Sequence, residues 1–87
     1  MHIELEIQTT TKKGYERLRR PVELAELPLP GDWIDVEFFA DGVRVRGRHF
    51  GFDGTVVLDL GWHRFDDAKY GLLAAQGWSL PRRLEFT

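Results

Sequence analysis

The residues best suited to metal or acid–base chemistry lie in one short segment. In "GWHRFDD", His63 precedes Asp66 and Asp67, and an imidazole with two carboxylates supplies ligand types that a transition metal takes. The same aspartates also suit a helix start, because a carboxylate there accepts backbone N–H groups and faces the positive end of the helix dipole. Capping needs no further ligand, so we expect Asp66 or Asp67 to cap a helix. A metal-dependent enzyme is only the third-ranked function.

Other catalytic arrangements have no counterpart in the sequence. The chain has no cysteine, and its one serine, Ser79, has no local partner. Neither a phosphate-binding glycine loop nor a nucleophile elbow occurs. A chain of 87 residues also has little room for both a core and a water-excluding pocket. We therefore predict a non-enzymatic protein with no cofactor and no metal, in a reducing compartment such as the cytoplasm.

A basic segment near the N-terminus suggests nucleic-acid binding. Its cations are Lys12, Lys13, Arg17, Arg19 and Arg20. Tyr15 stands among them, and cations beside an aromatic ring are typical of single-strand binding. Against this, Glu4 and Glu6 are placed to neutralise two of the cations across a hairpin, and the net charge of −2 gives no general attraction for phosphate. A small nucleic-acid-binding β-barrel using residues 12–20 is therefore the alternative function.

The first half of the chain reads as strands and turns. In "HIELEIQ" every second residue is apolar, which predicts a half-buried strand with Ile3, Leu5 and Ile7 inward. The segment 15–27 contains Pro21 and a short alternation, so we expect an irregular second strand. Pro30 followed by Gly31 suits the central positions of a type II turn. No apolar run is long enough to span a membrane, and we predict no membrane partner.

The second half predicts a meander followed by a helix. Asp41-Gly42 and Asp53-Gly54 are typical two-residue hairpin turns between strands over 33–39, 43–51 and 55–60. "RFDDAKYGLLAAQGW" has helical spacing near residues 66–76, with Ala68, Leu72, Leu73 and Ala75 as its apolar side. Gly77 stands at the stop position. The segment 82–87 predicts a last strand with Leu84 and Phe86 inward.

Two-residue turns fix the register of the meander. Alternation in "GVRVRGRH" places three cations on one outer face: Arg44, Arg46 and Arg48. The register sets Arg46 opposite Glu37, and Arg48 between Asp35 and Asp59, so the stripe neutralises itself and is a solvated face rather than a phosphate site. His49 falls on the inner face opposite Leu58. The other inner residues are Ile34, Val36, Phe38, Val43, Val45, Val56 and Leu60.

The same register exposes an aromatic patch at one end of the sheet. Trp33 pairs with Phe50, Phe50 pairs with Val57, and Phe52 follows on the same outer side. One interpretation is that the helix or the first hairpin covers this patch and completes the core. The other is a contact surface, since monomers rarely leave such patches open. A protein-interaction module of the accessory, adaptor or inhibitor type, binding an unknown protein or itself, is the leading function.

These elements predict one domain over residues 1–87. Its fold class is mostly β (α+β): a small twisted antiparallel sheet or a partly closed barrel, with one short helix. The meander, entered through a Pro-Gly-Asp turn, resembles small SH3-like barrels in architecture over about residues 28–61. At this length a chain buries only about 60–65% of its unfolded surface, so association with a partner would add to a limited core.

Overall fold

The computed structural model describes residues 2–11, 14–37 and 39–79. Its elements are β1 (His2–Thr11), β2 (Gly14–Glu23), β3 (Trp33–Val36), β4 (Phe39–Arg44), β5 (Gly47–Phe50), β6 (Val56–Trp62), α1 (Asp67–Leu73) and a 3₁₀ turn (Ala74–Gln76). This confirms the mostly β fold with one short helix. None of the helices in these ranges is long and apolar enough to cross a membrane.

The strands form one four-stranded sheet and one separate hairpin. The order in the large sheet is β2-β1-β6-β5, and β3 pairs with β4. β1–β2 and β5–β6 are antiparallel, whereas β1 and β6 run parallel. Over the described ranges the large sheet is twisted and not closed, so the open arrangement is the one present. β2 is a continuous strand through Pro21 rather than an irregular one, which an edge strand tolerates because its outer N–H groups have no obligatory partner.

One face of the four-stranded sheet, called the core face, carries the hydrophobic core. Alternate residues of β1 are buried there, as the sequence predicts. The residues that the strands and their connection contribute to this core cluster are Ile3, Leu5, Ile7, Leu18, Val36, Val43, Val45, Val56, Leu58 and Leu60. Leu73 and Trp78 close the core from the helical side. Most of the predicted inner residues of the meander are therefore buried, but Ile34 is half-buried and His49 is exposed; Phe38 lies outside the described residues.

The predicted turn at Pro30-Gly31 is confirmed. Gly31 has a φ of 96°, and Asp32 N donates to the carbonyl of Leu29 at 3.0 Å, which is the hydrogen bond of a type II turn. The Asp32 carboxylate accepts from Leu29 N at 2.8 Å. This closed loop leads the chain into β3.

The helix has the predicted cap and stop but a different buried side. Asp66 Oδ1 accepts from Lys69 N at 2.7 Å, and Gly77 is left-handed with a φ of 93°. Of the predicted apolar side, only Leu73 is buried. The α-helix spans just seven residues before it tightens into a 3₁₀ turn, so the spacing of a longer α-helix does not apply. Tyr70, half-buried, packs on the core instead.

Removing the cap isolates its contribution to stability. We expect Asp66→Ala to lower the free energy of unfolding by about 1 kcal/mol, because the first turn loses an acceptor for its free N–H groups. Asp66→Asn keeps an acceptor oxygen and should cost much less. Urea unfolding followed by circular dichroism measures both. Equal losses in the two variants would contradict a capping role.

The first Asp-Gly pair does not form a hairpin turn. Val36 pairs with Phe39, so the chain reverses between them, and Ile34 pairs with Val43. Asp41 and Gly42 lie inside β4, where the register shifts and residues 40–42 face the single residue 35. Gly42 has a φ of 78°, as the local bulge requires. The predicted two-residue turn at Asp41-Gly42 is therefore wrong.

The second Asp-Gly pair lies in a longer turn than predicted. Gly51 N donates to the carbonyl of Thr55 at 2.8 Å, and Gly54 N donates to the carbonyl of Gly51 at 3.1 Å. With Gly54 at a φ of 90°, this is the three-residue hairpin loop that combines a turn with a left-handed residue. One extra loop residue moves the register by one, and such a slip exchanges the faces of a strand.

These two differences break up the predicted arginine stripe. Arg44 ends β4 opposite Trp33, whereas Arg46 precedes β5 and donates its backbone N–H to the backbone carbonyl of Asp59 at 2.7 Å. Arg48 pairs with Leu58 and so lies on the core face. The shared outer face is therefore wrong, and so are the predicted carboxylate partners of Arg46 and Arg48. The predicted strand over 82–87 lies outside the described residues.

Candidate interaction surface

β5 forms an open edge of the four-stranded sheet. In the described ranges no strand pairs with its outer side. The bond from Gly51 N to Thr55 O sets the alternation of the ladder, in which His49 is a hydrogen-bonded partner of Val57. The N–H and C=O groups of Arg48 and Phe50 therefore point away from β6. We call these two residues, with their outward main-chain groups, the β5 edge.

Phe50 is an apolar residue on the core face that the core does not cover. It pairs with Val56, so both side chains project to the same side of the sheet. Val56 is 7% exposed, yet Phe50 is 58% exposed. The layer that covers β1 and β6 thus stops short of β5. An added strand on this edge would bring new side chains beside Phe50.

Arg48 adds a cation next to this ring. Its Cζ lies 5.4 Å from the centroid of the Phe50 ring, within the range of a cation–π contact. Arg48 is only half-buried, because its stem lies on the core face opposite Leu58 while its head reaches over Phe50. The edge therefore presents a guanidinium and an aromatic ring together.

The loop after β5 holds a second phenylalanine in solvent. Phe52 is fully exposed, although the loop around it is well hydrogen-bonded. Asp53 Oδ1 accepts from Thr55 N at 3.0 Å, and hydrogen bonds from Thr55 lower the pKa of the Asp53 carboxyl below its usual value. A Cβ added at Gly51 would lie 2.7 Å from Asp53 Oδ1. The close turn thus leaves Phe52 at its tip, near the end of the β5 edge.

The structure brings together only part of the predicted aromatic patch. Phe50 and Phe52 belong to one hairpin, whereas exposed Trp33 lies on the separate β3–β4 hairpin. Val57 is buried on the outer face, opposite exposed His49. The predicted pairings of Trp33 with Phe50 and of Phe50 with Val57, and the inner position of His49, are therefore wrong. The reason is the register shift described above.

The basic segment is divided between the two faces of the sheet. Arg19 Nε lies 2.9 Å from Glu6 and its Nη1 lies 3.4 Å from Glu4, so both carboxylates pair with the same cation across the first hairpin, whereas the sequence predicts that they neutralise two. Arg20 is on the core face and pairs with Glu37 at 3.7 Å. Lys12 and Lys13 lie outside the described residues. The two faces thus separate the cations that the sequence groups together.

Trp62, with Gln8 and Thr10, was missed by sequence reasoning and joins Arg17 and Tyr15 on the outer face. Trp62 pairs with Gln8, which pairs with Arg17 on β2. The indole Nε1 of Trp62 donates to Thr10 Oγ1 at 3.3 Å, and both Trp62 and Tyr15 are about half exposed. A hydrogen bond with Tyr15 raises the pKa of Arg17. A bulge in β6 brings Trp62 to this face, and Gly61, with a φ of 82°, was the only signal for it.

The segment considered for metal chemistry is used for structure. His63 Nε2 lies 2.7 Å from the carbonyl oxygen of Leu60, and its ring meets Phe39 edge-on at 4.8 Å. Asp66 caps the helix. Within the described ranges, no group of three or more histidine and carboxylate side chains is placed to hold a metal ion.

No known protein family matches this chain, and neither a curated protein nor a solved structure does. Its function has therefore to be inferred from the surfaces themselves, first of all the β5 edge with Phe50 and Phe52.

Proposed function

We propose that this protein is a non-enzymatic protein-interaction module that binds an extended segment at the β5 edge. The observation that carries the proposal is a strand edge that no other strand pairs with among the described residues, beside an uncovered core-face residue, Phe50. In strand addition, main-chain hydrogen bonds supply affinity and alternate side chains supply specificity. A cytoplasmic accessory, adaptor or inhibitor role fits a small chain without cysteine.

The β5 edge offers both kinds of contact. The outward N–H and C=O groups of Arg48 and Phe50 can pair with a strand on the far side of β5. The exposed rings of Phe50 and Phe52 add apolar contact, and burying one such ring contributes about 1.5–3 kcal/mol. Arg48 and aromatic residues are also types enriched at interaction hot spots.

Proline at position 48 tests this mode of binding. Arg48→Pro removes an outward N–H while leaving the ladder with β6 intact, because Arg48 does not donate to β6. Arg48→Ala is the matched control, since it removes the same side chain and keeps the N–H. Both variants should retain the circular dichroism spectrum of the unsubstituted protein.

The readout is quantitative affinity capture from lysate of the source cells. We expect recovery with Arg48→Pro to be at least tenfold lower than with Arg48→Ala, since Arg48→Ala loses only the side-chain contacts and Arg48→Pro also loses the N–H. Equal recovery by all three baits would contradict strand addition at β5. Capture that falls equally with Ala and Pro would assign binding to the guanidinium rather than to the main chain.

The outer face supports a second candidate function, binding of single-stranded nucleic acid. Trp62 and Tyr15 each leave about half of the side chain exposed beside Arg17, and base stacking on such rings contributes about 1–3 kcal/mol per base. Cross-strand spacing puts Trp62 and Arg17 about 10 Å apart on two sides of β1. Glu6 and Asp59 lie on the same face, which weakens its attraction for phosphate and ranks this candidate second.

A labelled single-stranded oligonucleotide tests the second candidate by fluorescence anisotropy. We expect Trp62→Ala to weaken binding by about 5- to 150-fold, the equivalent of one lost stacking contact, and Arg17→Glu to reduce its salt dependence. Trp33→Ala is the control, because Trp33 is also exposed but lies on the β3–β4 hairpin. Affinity that does not change from low to moderate salt would rule out phosphate contacts.

A further inference from the structure

We infer that the β5 edge binds the β5 strand of a second copy of this chain, in an antiparallel pair centred on His49. The inference rests on the proposed function and names its partner. Such a pair has two-fold symmetry, so each copy contributes the same surface. The two sheets would then form one continuous eight-stranded sheet with both core faces on the same side.

Main-chain geometry restricts the possible registers. Only Arg48 and Phe50 direct their N–H and C=O groups outward within β5, so these two must fill the hydrogen-bonded positions. Pairing Arg48 with Arg48 of the second copy sets like charges opposite each other. Pairing Phe50 with Phe50 of the second copy sets Arg48 opposite a residue beyond the end of the other β5 strand, so Arg48 has no partner within β5. Pairing Arg48 with Phe50 uses both residues of both copies and forms about four main-chain hydrogen bonds.

Side-chain chemistry favours the same register. Arg48 and Phe50 lie on the core face, so each guanidinium would approach the Phe50 ring of the other copy. The contact already exists within one chain, where Arg48 Cζ is 5.4 Å from the ring centroid. A self-complementary edge, with its cation and its ring two residues apart, matches a second copy without any further partner. The pair would also cover the apolar surface that the core leaves open at Phe50.

The outer face of this pair provides a chemical test. His49 would lie opposite His49 of the second copy as a non-hydrogen-bonded pair, with Cα atoms about 4.5 Å apart. That separation is within the range that a disulfide bridges. The chain contains no cysteine, so His49→Cys introduces the only thiol. His49 is exposed, and replacing it leaves the core unchanged.

The experiment is oxidative cross-linking of His49→Cys, with Ala68→Cys as the control. Ala68 is exposed on α1, so its thiol reports random collisions. At equal concentration under mild oxidant, we expect at least tenfold more cross-linked dimer from His49→Cys. Adding Arg48→Pro to His49→Cys should reduce cross-linking to the level of the control. Sedimentation equilibrium of the unsubstituted protein should show dimer, and Arg48→Glu should shift it to monomer.

Two results would overturn the self-pairing. One is an unsubstituted protein that stays monomeric up to millimolar concentration, a readout that needs no variant to fold. The other is cross-linking of His49→Cys that does not exceed the control. If either occurs while capture of a different protein still depends on the N–H of Arg48, self-pairing fails and the proposed function stands. If the unsubstituted protein, Arg48→Ala and Arg48→Pro also recover the same proteins in equal amounts, both the self-pairing and the proposed function fail.

Discussion

Trp78→Ala is expected to lower the free energy of unfolding by about 3–5 kcal/mol, the usual cost of truncating a buried aromatic residue. The side chain is 3% exposed and belongs to the core with Leu73. Trp78 N also donates to the carbonyl of Leu73 at 3.0 Å, directly after left-handed Gly77. Domains of this size have little stability in reserve, so this loss should leave much of the protein unfolded on moderate warming. Urea unfolding measures the effect, followed by far-ultraviolet circular dichroism of the backbone rather than by tryptophan fluorescence, because the variant removes a tryptophan.

Trp33→Ala is the matched control, because it removes the same side chain from an exposed position. Trp33 is 66% exposed, and surface substitutions usually change stability by no more than about 0.5 kcal/mol. We expect the two variants to differ by at least about 2 kcal/mol. Similar losses would mean that Trp33 is buried by a contact of its own, or that Trp78 is less enclosed than its exposure indicates.

Gly42→Ala is expected to have the second-largest effect. Gly42 has a φ of 78°, where a side chain costs about 1–2 kcal/mol. A Cβ there would also lie 3.0 Å from the backbone oxygen of Ile34 on the neighbouring strand, and a backbone atom in a paired strand cannot easily move. We expect the free energy of unfolding to fall by at least about 2 kcal/mol, since crowding adds to backbone strain.

Gly54→Ala separates the two causes. Gly54 has a φ of 90°, but a Cβ there would meet nothing within 4 Å. It should therefore show the backbone strain without the crowding, and its loss should be smaller than that of Gly42→Ala by at least about 1 kcal/mol. The comparison uses the same chemical unfolding measurement. Equal losses would show that β3 moves aside and that the bulge is not tightly packed.

The structural difference between Gly42 and Gly54 also explains why the register could not be predicted. Both follow an aspartate between apolar strands, and both adopt a positive φ. One forms a bulge inside β4 and the other closes a three-residue loop. Local sequence requires a left-handed residue at each position, but many turns and bulges meet that requirement. Which one forms depends on the strand that packs alongside.

Features set by adjacent residues could be read from the sequence. The alternation over Ile3, Leu5 and Ile7 identified β1 and its buried side. Pro30-Gly31 gave the turn type, and Asp66 gave the helix cap, because each depends on contacts only a few residues apart. Most of the buried residues of the meander were also identifiable, because apolar residues at alternate positions indicate a buried face.

The candidate surface depended on facts that no local pattern contains. One additional loop residue placed Arg48 and Phe50 on the core face, and moved His49 and Val57 to the outer face. The parallel pairing of β1 with β6 left β5 at the end of the sheet, where no strand of the described ranges pairs with its outer N–H and C=O groups. Side chains alternate between the two faces of a strand, so the local sequence shows which residues share a face. The register with the neighbouring strand decides which of the two faces is buried. Composition and alternation thus indicated most of the strands and the core, whereas the loop length after β5 and the parallel pairing of β1 with β6 decided which residues form the β5 edge.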